Sequence, residues 1–133
     1  GDNGAFSLDK IIYPIASGNQ LKVELNLERA FKEGQTPIVI LRATMRHFQK
    51  LHLALGHIEN GLTPRDALRE IRPPILYLFV DEFLQQLNRW SISRASRALT
   101  VLNEAEIRCK TTGLPANVMC SRALMSLSQT GRK

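Results

Sequence analysis

The feature that most constrains the fold is a long amphipathic segment that runs from Gly34 to Leu62. Thr36 and Pro37 mark its start, because a threonine hydroxyl can accept a hydrogen bond from an unpaired backbone N–H group and proline fits the first helical turn. The apolar residues that follow recur in steps of three and four, at Ile38, Leu41, Met45, Phe48, Leu51 and Leu55. This spacing places them on one face of a helix and predicts that the face packs against other helices.

The opposite side of this predicted helix is basic. Arg42, Arg46 and Lys50, here called the basic stripe, follow one another at intervals of four residues and therefore lie along one face. The chain has a formal net charge of +6, and basic surfaces attract polyanions. The stripe could face phosphates, acidic protein or only water, so a basic helical nucleic-acid-binding domain is the alternative function.

Start and stop signals divide the rest of the chain into further helices. Before the long segment, Ser7 to Ala16 and Gln20 to Glu33 form a predicted helical hairpin, and Pro14 predicts that its first helix is very short or kinked. The later predicted helices run from Thr63 to Arg72, from Ile75 to Trp90, from Ser91 or Ser93 to Thr112, and from Pro115 to about Leu127. We therefore predict an all-α single domain, a bundle of about six to seven helices.

The segment from Ile75 to Val80 would also fit a strand by composition, but its apolar positions continue through Leu87 at helical spacing. The positions expected to fill the core of the last three predicted helices are Leu76, Phe79, Phe83, Ala95, Leu99, Leu102, Cys109, Val118, Leu124 and Leu127. Tyr77 and Val80 are instead the expected surface anchors.

No pattern of catalytic or metal-binding residues is present in the sequence. His47, His52 and His57 recur every five residues, a spacing that turns successive side chains by about 140° around a helix and scatters them. Cys109 and Cys120 match no zinc or redox spacing and read as packing residues or inert thiols. The chain has no glycine-rich nucleotide loop. We therefore expect no enzymatic activity and no cofactor.

The composition also argues against a membrane protein. The longest apolar run is far shorter than the roughly 20 residues that a membrane-spanning helix needs, and Gly1 to Lys10 does not resemble a signal peptide. We expect a soluble, intracellular chain. Because it does not begin with methionine, we also expect a fragment of a longer protein.

Glu106 is the carboxylate whose position is least routine. It follows Leu99 and Leu102 at helical spacing and so lies at the edge of an apolar face, where an unpaired charge is unfavourable. It could pair with Lys110 four residues later. Alternatively, it could accept a charge-assisted hydrogen bond from an arginine of a neighbouring helix or of a partner.

Three arginines lie at or near the start of the predicted helix that follows Trp90. Arg94 and Arg97 are close to the helix end whose dipole disfavours cations, and Arg89 just precedes them. They face either solvent or a partner.

Several short pieces occur in a specific order along almost the whole chain. They are Ala16 to Asn19, Glu33 to Arg42, His47 to Leu51, Arg72 to Pro74, Gln86 to Trp90, Leu102 to Glu106, and Lys110 followed by Thr112 and Gly113. In this combination the chain resembles the C-terminal domain of the delta subunit of the bacterial DNA polymerase III clamp loader. The apolar segment from Leu76 to Val80 departs from that pattern.

The resemblance implies a clamp-loader collar domain over residues 1–133, with the N-terminal clamp-binding domains absent from this chain. It implies a non-catalytic assembly role, in which the domain joins the motor (gamma/tau) and delta-prime subunits and so supports sliding-clamp loading during DNA replication in the bacterial cytoplasm. The sliding clamp would be reached through the absent domains, and DNA could be a further partner. Full-length relatives belong to the DNA polymerase holoenzyme, although the delta subunit does not itself hydrolyse ATP.

The candidate partner-facing residues combine apolar or aromatic anchors with charges that could border them. They are Tyr77, Val80, Arg89, Trp90, Arg94, Arg97 and Glu106, to which the basic stripe of Arg42, Arg46 and Lys50 is added. For Trp90, a place in the core of the domain is the alternative.

Overall fold

The computed structural model describes the backbone of residues 2–132 and the side chains of residues 8–130. Within that part the chain forms seven α-helices, one 3₁₀ turn and no strand, which confirms the predicted all-α bundle. The helices are α1 (Asp2–Ser17), α2 (Gln20–Lys32), α3 (Pro37–Glu59), α4 (Pro64–Arg69), α5 (Val80–Arg89), α6 (Ile92–Lys110) and α7 (Ala116–Arg132). None of the described helices is long and apolar enough to cross a membrane.

The long helix α3 begins where the sequence predicts. The Thr36 hydroxyl accepts a hydrogen bond from the Val39 backbone N–H group at 3.3 Å, and Pro37 occupies the first turn. The same arrangement recurs at two other helices, because Thr63 caps α4 and Ser91 caps α6 through the N–H group three residues later. These caps make the starts of α3, α4 and α6 readable from local sequence.

Helix α3 lies at the centre of the bundle. It runs antiparallel to α6, since Arg42 contacts Glu106 near one end of the pair and His52 contacts Ser96 near the other. The buried surface of α3 differs from the predicted stripe, because Leu41, Phe48 and Leu51 are buried but Ile38, Met45 and Leu55 are only partly buried. It also includes Ile40, Ala43, Thr44, His47 and Ala54, because α1, α4, α5 and α7 contact α3 in addition to α6.

Helix α1 begins at Asp2, earlier than the predicted Ser7, and continues through Pro14 to Ser17, so the proline does not shorten it. Proline has no N–H group to donate to the carbonyl four residues earlier, which belongs to Lys10. The Nδ2 atom of Asn26, on the neighbouring helix α2, donates to the Lys10 carbonyl oxygen at 3.2 Å. A tertiary hydrogen bond thus serves the carbonyl that the proline leaves without its helical partner.

The start of α5 differs from the prediction. The helix begins at Val80 rather than at Ile75, and the residues between form an extended segment followed by the 3₁₀ turn Tyr77–Phe79. Asp81 and Glu82 lie in the first turn of α5, where negative charge is favourable because of the helix dipole. Hydrophobic periodicity alone did not reveal this boundary.

Three other expectations in the second half of the chain are wrong. Helix α4 ends at Arg69 rather than near Arg72, and α7 extends past Leu127 to Arg132. Val118 and Leu76, both expected in the core, are each 43% exposed. Of the other core predictions, Phe83, Ala95, Leu102, Leu124 and Leu127 are buried, whereas Phe79, Leu99 and Cys109 are only partly buried and pack against the core.

Candidate interaction surfaces

Three consecutive apolar side chains project into solvent at the 3₁₀ turn. Leu76, Tyr77 and Leu78, together called the Tyr77 turn, are 43%, 84% and 59% exposed. The next residue, Phe79, anchors the Tyr77 turn to the bundle, because its ring stacks on the ring of Tyr13 with 4.2 Å between centroids. Single exposed apolar residues are ordinary, but a contiguous group of them on a firmly packed turn is typical of a protein-binding surface. Val80, the other predicted anchor, is only partly exposed.

Trp90 lies inside the domain and not on its surface. Its side chain is 4% exposed, and its ring packs edge-to-face against Phe48 with 4.7 Å between centroids. The indole Nε1–H group donates to the Ala16 carbonyl oxygen at 2.8 Å. Trp90 therefore occupies the position that the core alternative predicts, where it joins α5 to α1 and α3.

Arg94 binds two helix ends within the same chain. Its guanidinium donates to the backbone carbonyls of Arg89, at the end of α5, and of Thr130, in the last turn of α7. It also lies over the Trp90 ring, 5.2 Å from the centroid. The carboxyl ends of α5 and α7 are the negative ends of their helix dipoles. Their attraction for the Arg94 guanidinium explains why a cation lies at the start of α6. Arg89 and Arg97 are exposed.

Glu106 satisfies both of its predicted alternatives at once. Its carboxylate accepts from Arg42 Nε on α3 at 2.9 Å and pairs with Lys110 Nζ on its own helix at 3.1 Å. The hydrogen bond from Arg42, followed by that from Lys110, lowers the pKa of the Glu106 carboxyl. The arginine that the sequence left unassigned therefore belongs to the same chain, 64 positions away.

The basic stripe is not a continuous positive surface. Arg42 is paired with Glu106. Lys50 is half-buried near Asp9 of α1, and its pKa is lowered mainly because burial disfavours the ammonium form. Of these three residues, Arg46 alone is exposed and has no described carboxylate within ion-pair distance.

A groove of about 300 Å³ lies between α1, α3 and the segment from Pro73 to Leu76; we call it the α1/α3 groove. Its walls are mainly apolar, and Arg46, Lys50 and Asp9 are its charged lining residues. Burial raises the pKa of the Asp9 carboxyl, while the nearby Lys50 acts in the opposite direction. The groove adjoins the Tyr77 turn because Leu76 belongs to both.

A chain of hydrogen bonds crosses the buried interior beside this groove. His47 Nε2 lies 2.7 Å from Gln86 Oε1, and Gln86 Nε2 donates to the Tyr13 carbonyl and to Ser17 Oγ at 3.1 and 2.9 Å. Ser17 Oγ in turn donates to Glu82 Oε2 at 2.7 Å. Since the Gln86 amide nitrogen faces acceptors, the Gln86 amide oxygen accepts a hydrogen bond from the Nε2–H group of the neutral His47 ring.

This polar chain escaped sequence reasoning. Its one local signal is that Gln86 falls in helical register with the buried residues Phe83 and Leu87. Burial lowers the pKa of His47 to about 4, against a smaller opposing effect of the Gln86 hydrogen bond. His47 is therefore a neutral core residue near pH 7.

The other histidines and the cysteines do not gather into a reactive site. His52 contacts Ser96 on α6, and residues 8–130 contain no group of three or more His, Cys, Asp or Glu side chains that could hold a metal ion. Cys109 and Cys120 are free thiols. Burial raises the pKa of the Cys120 thiol to about 12, so it is protonated and unreactive at neutral pH.

Comparison with known proteins relates the chain to a bacterial replication protein. The chain is 28% identical over 79 residues to a probable DNA polymerase III subunit delta from Rickettsia prowazekii (strain Madrid E). The aligned region covers 59% of this chain and 25% of that protein. No protein-family model matches the chain, and no solved structure does. Over the aligned part, the chain is thus similar to a delta subunit of DNA polymerase III.

Proposed function

We propose that this chain is a non-catalytic assembly domain of a delta-type subunit of DNA polymerase III. In this role it is the collar domain that joins the gamma/tau motor subunits and the delta-prime subunit, and it supports sliding-clamp loading during replication. The observation that carries the proposal is the similarity to the Rickettsia protein over 79 residues. The helical architecture is compatible with it.

The surface of the bundle offers a place for such assembly. The Tyr77 turn exposes apolar side chains, and apolar or aromatic anchors of this kind carry much of the binding energy in protein interfaces. The nucleic-acid alternative rests on the basic stripe, but Arg42 and Lys50 each lie near a carboxylate of the same chain. The structure therefore favours a protein partner over DNA.

Assembly is tested by mixing the purified chain with the motor and delta-prime subunits at about 150 mM salt, near physiological ionic strength. Light scattering on a sizing column gives the mass of each species. We expect a mixed complex that contains all the components. If every component is folded and each elutes alone, the assembly role is excluded for this chain.

Replacing Tyr77 by alanine is expected to weaken that complex at least about ten-fold, because truncating an interface anchor typically removes more than 1 kcal/mol of binding free energy. The free energy of unfolding should change by no more than about 0.5 kcal/mol, since the side chain contributes little to the core. Titration calorimetry measures the affinity. Leu53→Ala is the matched control because Leu53 is 50% exposed elsewhere, on α3. Equal affinities for the two variants would remove the Tyr77 turn from the interface.

A further inference from the structure

We propose that the α1/α3 groove binds a segment of a partner protein that presents apolar side chains beside a carboxylate. The inference goes beyond the collar assignment, because it depends only on the shape and charge of the groove. It would stand whether or not the partner is a clamp-loader subunit.

The shape of the groove fits apolar side chains. It is lined by buried residues of α1 and α3, including Ile12, Tyr13 and Ala43, and by the exposed residues Pro73, Pro74 and Leu76. A volume of about 300 Å³ lies at the lower end of the range for ligand sites, about 300 to 1,000 Å³. The groove is therefore suited to a few side chains and not to a large cofactor.

The charges in the groove favour an anion. Arg46 and Lys50 lie one turn apart on α3, and no described residue forms a hydrogen bond or an ion pair within 4 Å with either side chain. Asp9 offsets one of these two positive charges, which leaves an excess of one. A carboxylate that enters the groove would give these cations a hydrogen-bonding partner.

The partial burial of Lys50 also favours an anion there. Its ammonium group is half-buried, and burial lowers its pKa more than the nearby Asp9 raises it. In the unbound protein, the negative charge of Asp9 therefore does not fully offset the unfavourable burial of the Lys50 ammonium group. A bound carboxylate would favour the charged form and raise the pKa.

A protein segment fits better than a small molecule because the apolar surface continues beyond the groove. Leu76 lines the groove and is also 43% exposed, and it leads directly to Tyr77 and Leu78 on the outer surface. A small ligand within the groove would leave those side chains in water. An extended segment could cover the groove and the Tyr77 turn together.

The test is a titration of the full chain, labelled with ¹⁵N, with the peptide acetyl-Leu-Phe-Glu-amide, followed by NMR chemical shifts. The neutral peptide acetyl-Leu-Phe-Gln-amide is its matched control. We expect shift changes at Asp9, Tyr13, Lys50 and Leu76. The glutamate peptide should bind about ten-fold more tightly than the glutamine peptide, because it adds a charge-assisted contact.

The variants Arg46→Gln and Lys50→Gln should each reduce the preference for the glutamate peptide, and the double variant should abolish it. Arg65→Gln, which removes an exposed cation on α4, should retain it. In the unsubstituted chain, the pKa of Lys50 should rise when the glutamate peptide is bound, a response that a purely structural lysine would not show.

Three results would overturn the inference. The first is an absence of shift changes at peptide concentrations up to about 10 mM, which would place any affinity below a useful range. The second is a set of changes located away from the groove. The third is a charge preference that survives in the double variant. None of these measurements uses a clamp-loader subunit, so failure of the collar assignment would leave the result interpretable.

Discussion

Replacing Trp90 by alanine is expected to lower the free energy of unfolding by about 4 kcal/mol, as truncation of a large buried aromatic side chain typically does. The substitution removes the edge-to-face contact with Phe48 and leaves a cavity where α1, α3 and α5 meet. It also leaves the Ala16 carbonyl without the indole N–H group. Urea unfolding followed by far-UV circular dichroism measures the change. Tryptophan fluorescence is unsuitable because the chain has one tryptophan.

Trp90→Phe separates the ring from its hydrogen bond. Phenylalanine keeps an aromatic ring but cannot donate to the Ala16 carbonyl, so the expected loss is about 1 to 2 kcal/mol. A Trp90→Ala variant that is as stable as the unsubstituted chain but fails to assemble would contradict the core role. It would then place Trp90 among the interface residues.

Acid is expected to destabilise the fold through His47, by about 3 kcal/mol between pH 7 and pH 4. Burial lowers the pKa of His47 from 6.5 to about 4 in the folded chain. Between these two values the unfolded chain binds the proton and the folded chain does not. The free energy of unfolding therefore rises with pH across this window and falls as the pH is lowered. Urea unfolding at a series of pH values measures the slope.

His47→Gln is the variant that isolates this effect. Glutamine can still hydrogen-bond to Gln86 but does not titrate, so the slope between pH 6.5 and pH 4 should become shallower. His52→Gln is the matched control because it removes a histidine outside the core. Asp9, whose pKa is raised by burial, contributes in the opposite direction in all three proteins and cancels in the comparison. Equal slopes for His47→Gln and the unsubstituted chain would show that folding does not lower the pKa of His47.

Several helix starts and stops were predictable because they depend on adjacent residues. Thr36, Thr63 and Ser91 all cap a helix through the N–H group three residues later. Gly34 and Gly113 follow α2 and α6 with φ values of +91° and +90°, a conformation that other residues adopt with difficulty. The all-helical class and part of the core, including Phe48, Phe83 and Leu102, followed from the spacing of apolar residues.

Helix α1 and the start of α5 depended on more than local pattern. Pro14 weakens a helix by local rules, yet α1 passes through it, and Asn26 of α2 bonds the Lys10 carbonyl. The apolar run from Ile75 continues at helical spacing, but its first residues instead line the α1/α3 groove and form the Tyr77 turn. In both places, the departure from the local pattern is accompanied by contacts with other elements of the bundle.

The candidate surfaces, too, were predicted only in part from the sequence. The sequence singled out Tyr77 as a surface anchor, and the structure exposes it. It also singled out Arg94, Trp90 and Glu106, whose contacts are made within the chain, with Thr130, Ala16 and Arg42 respectively. For a charged or aromatic residue with no partner nearby in sequence, the sequence does not show whether its partner belongs to the same chain or to another protein.

By itself, the sequence determined where most helices begin and which faces are apolar, because capping and periodicity act over a few adjacent residues. Only the tertiary structure decided which polar groups meet: the chain from His47 through Gln86 to Glu82, the Arg42–Glu106 pair, and the two cations left facing the α1/α3 groove. These outcomes depend on how helices far apart in sequence cross, and on the burial that changes the energies of their charges.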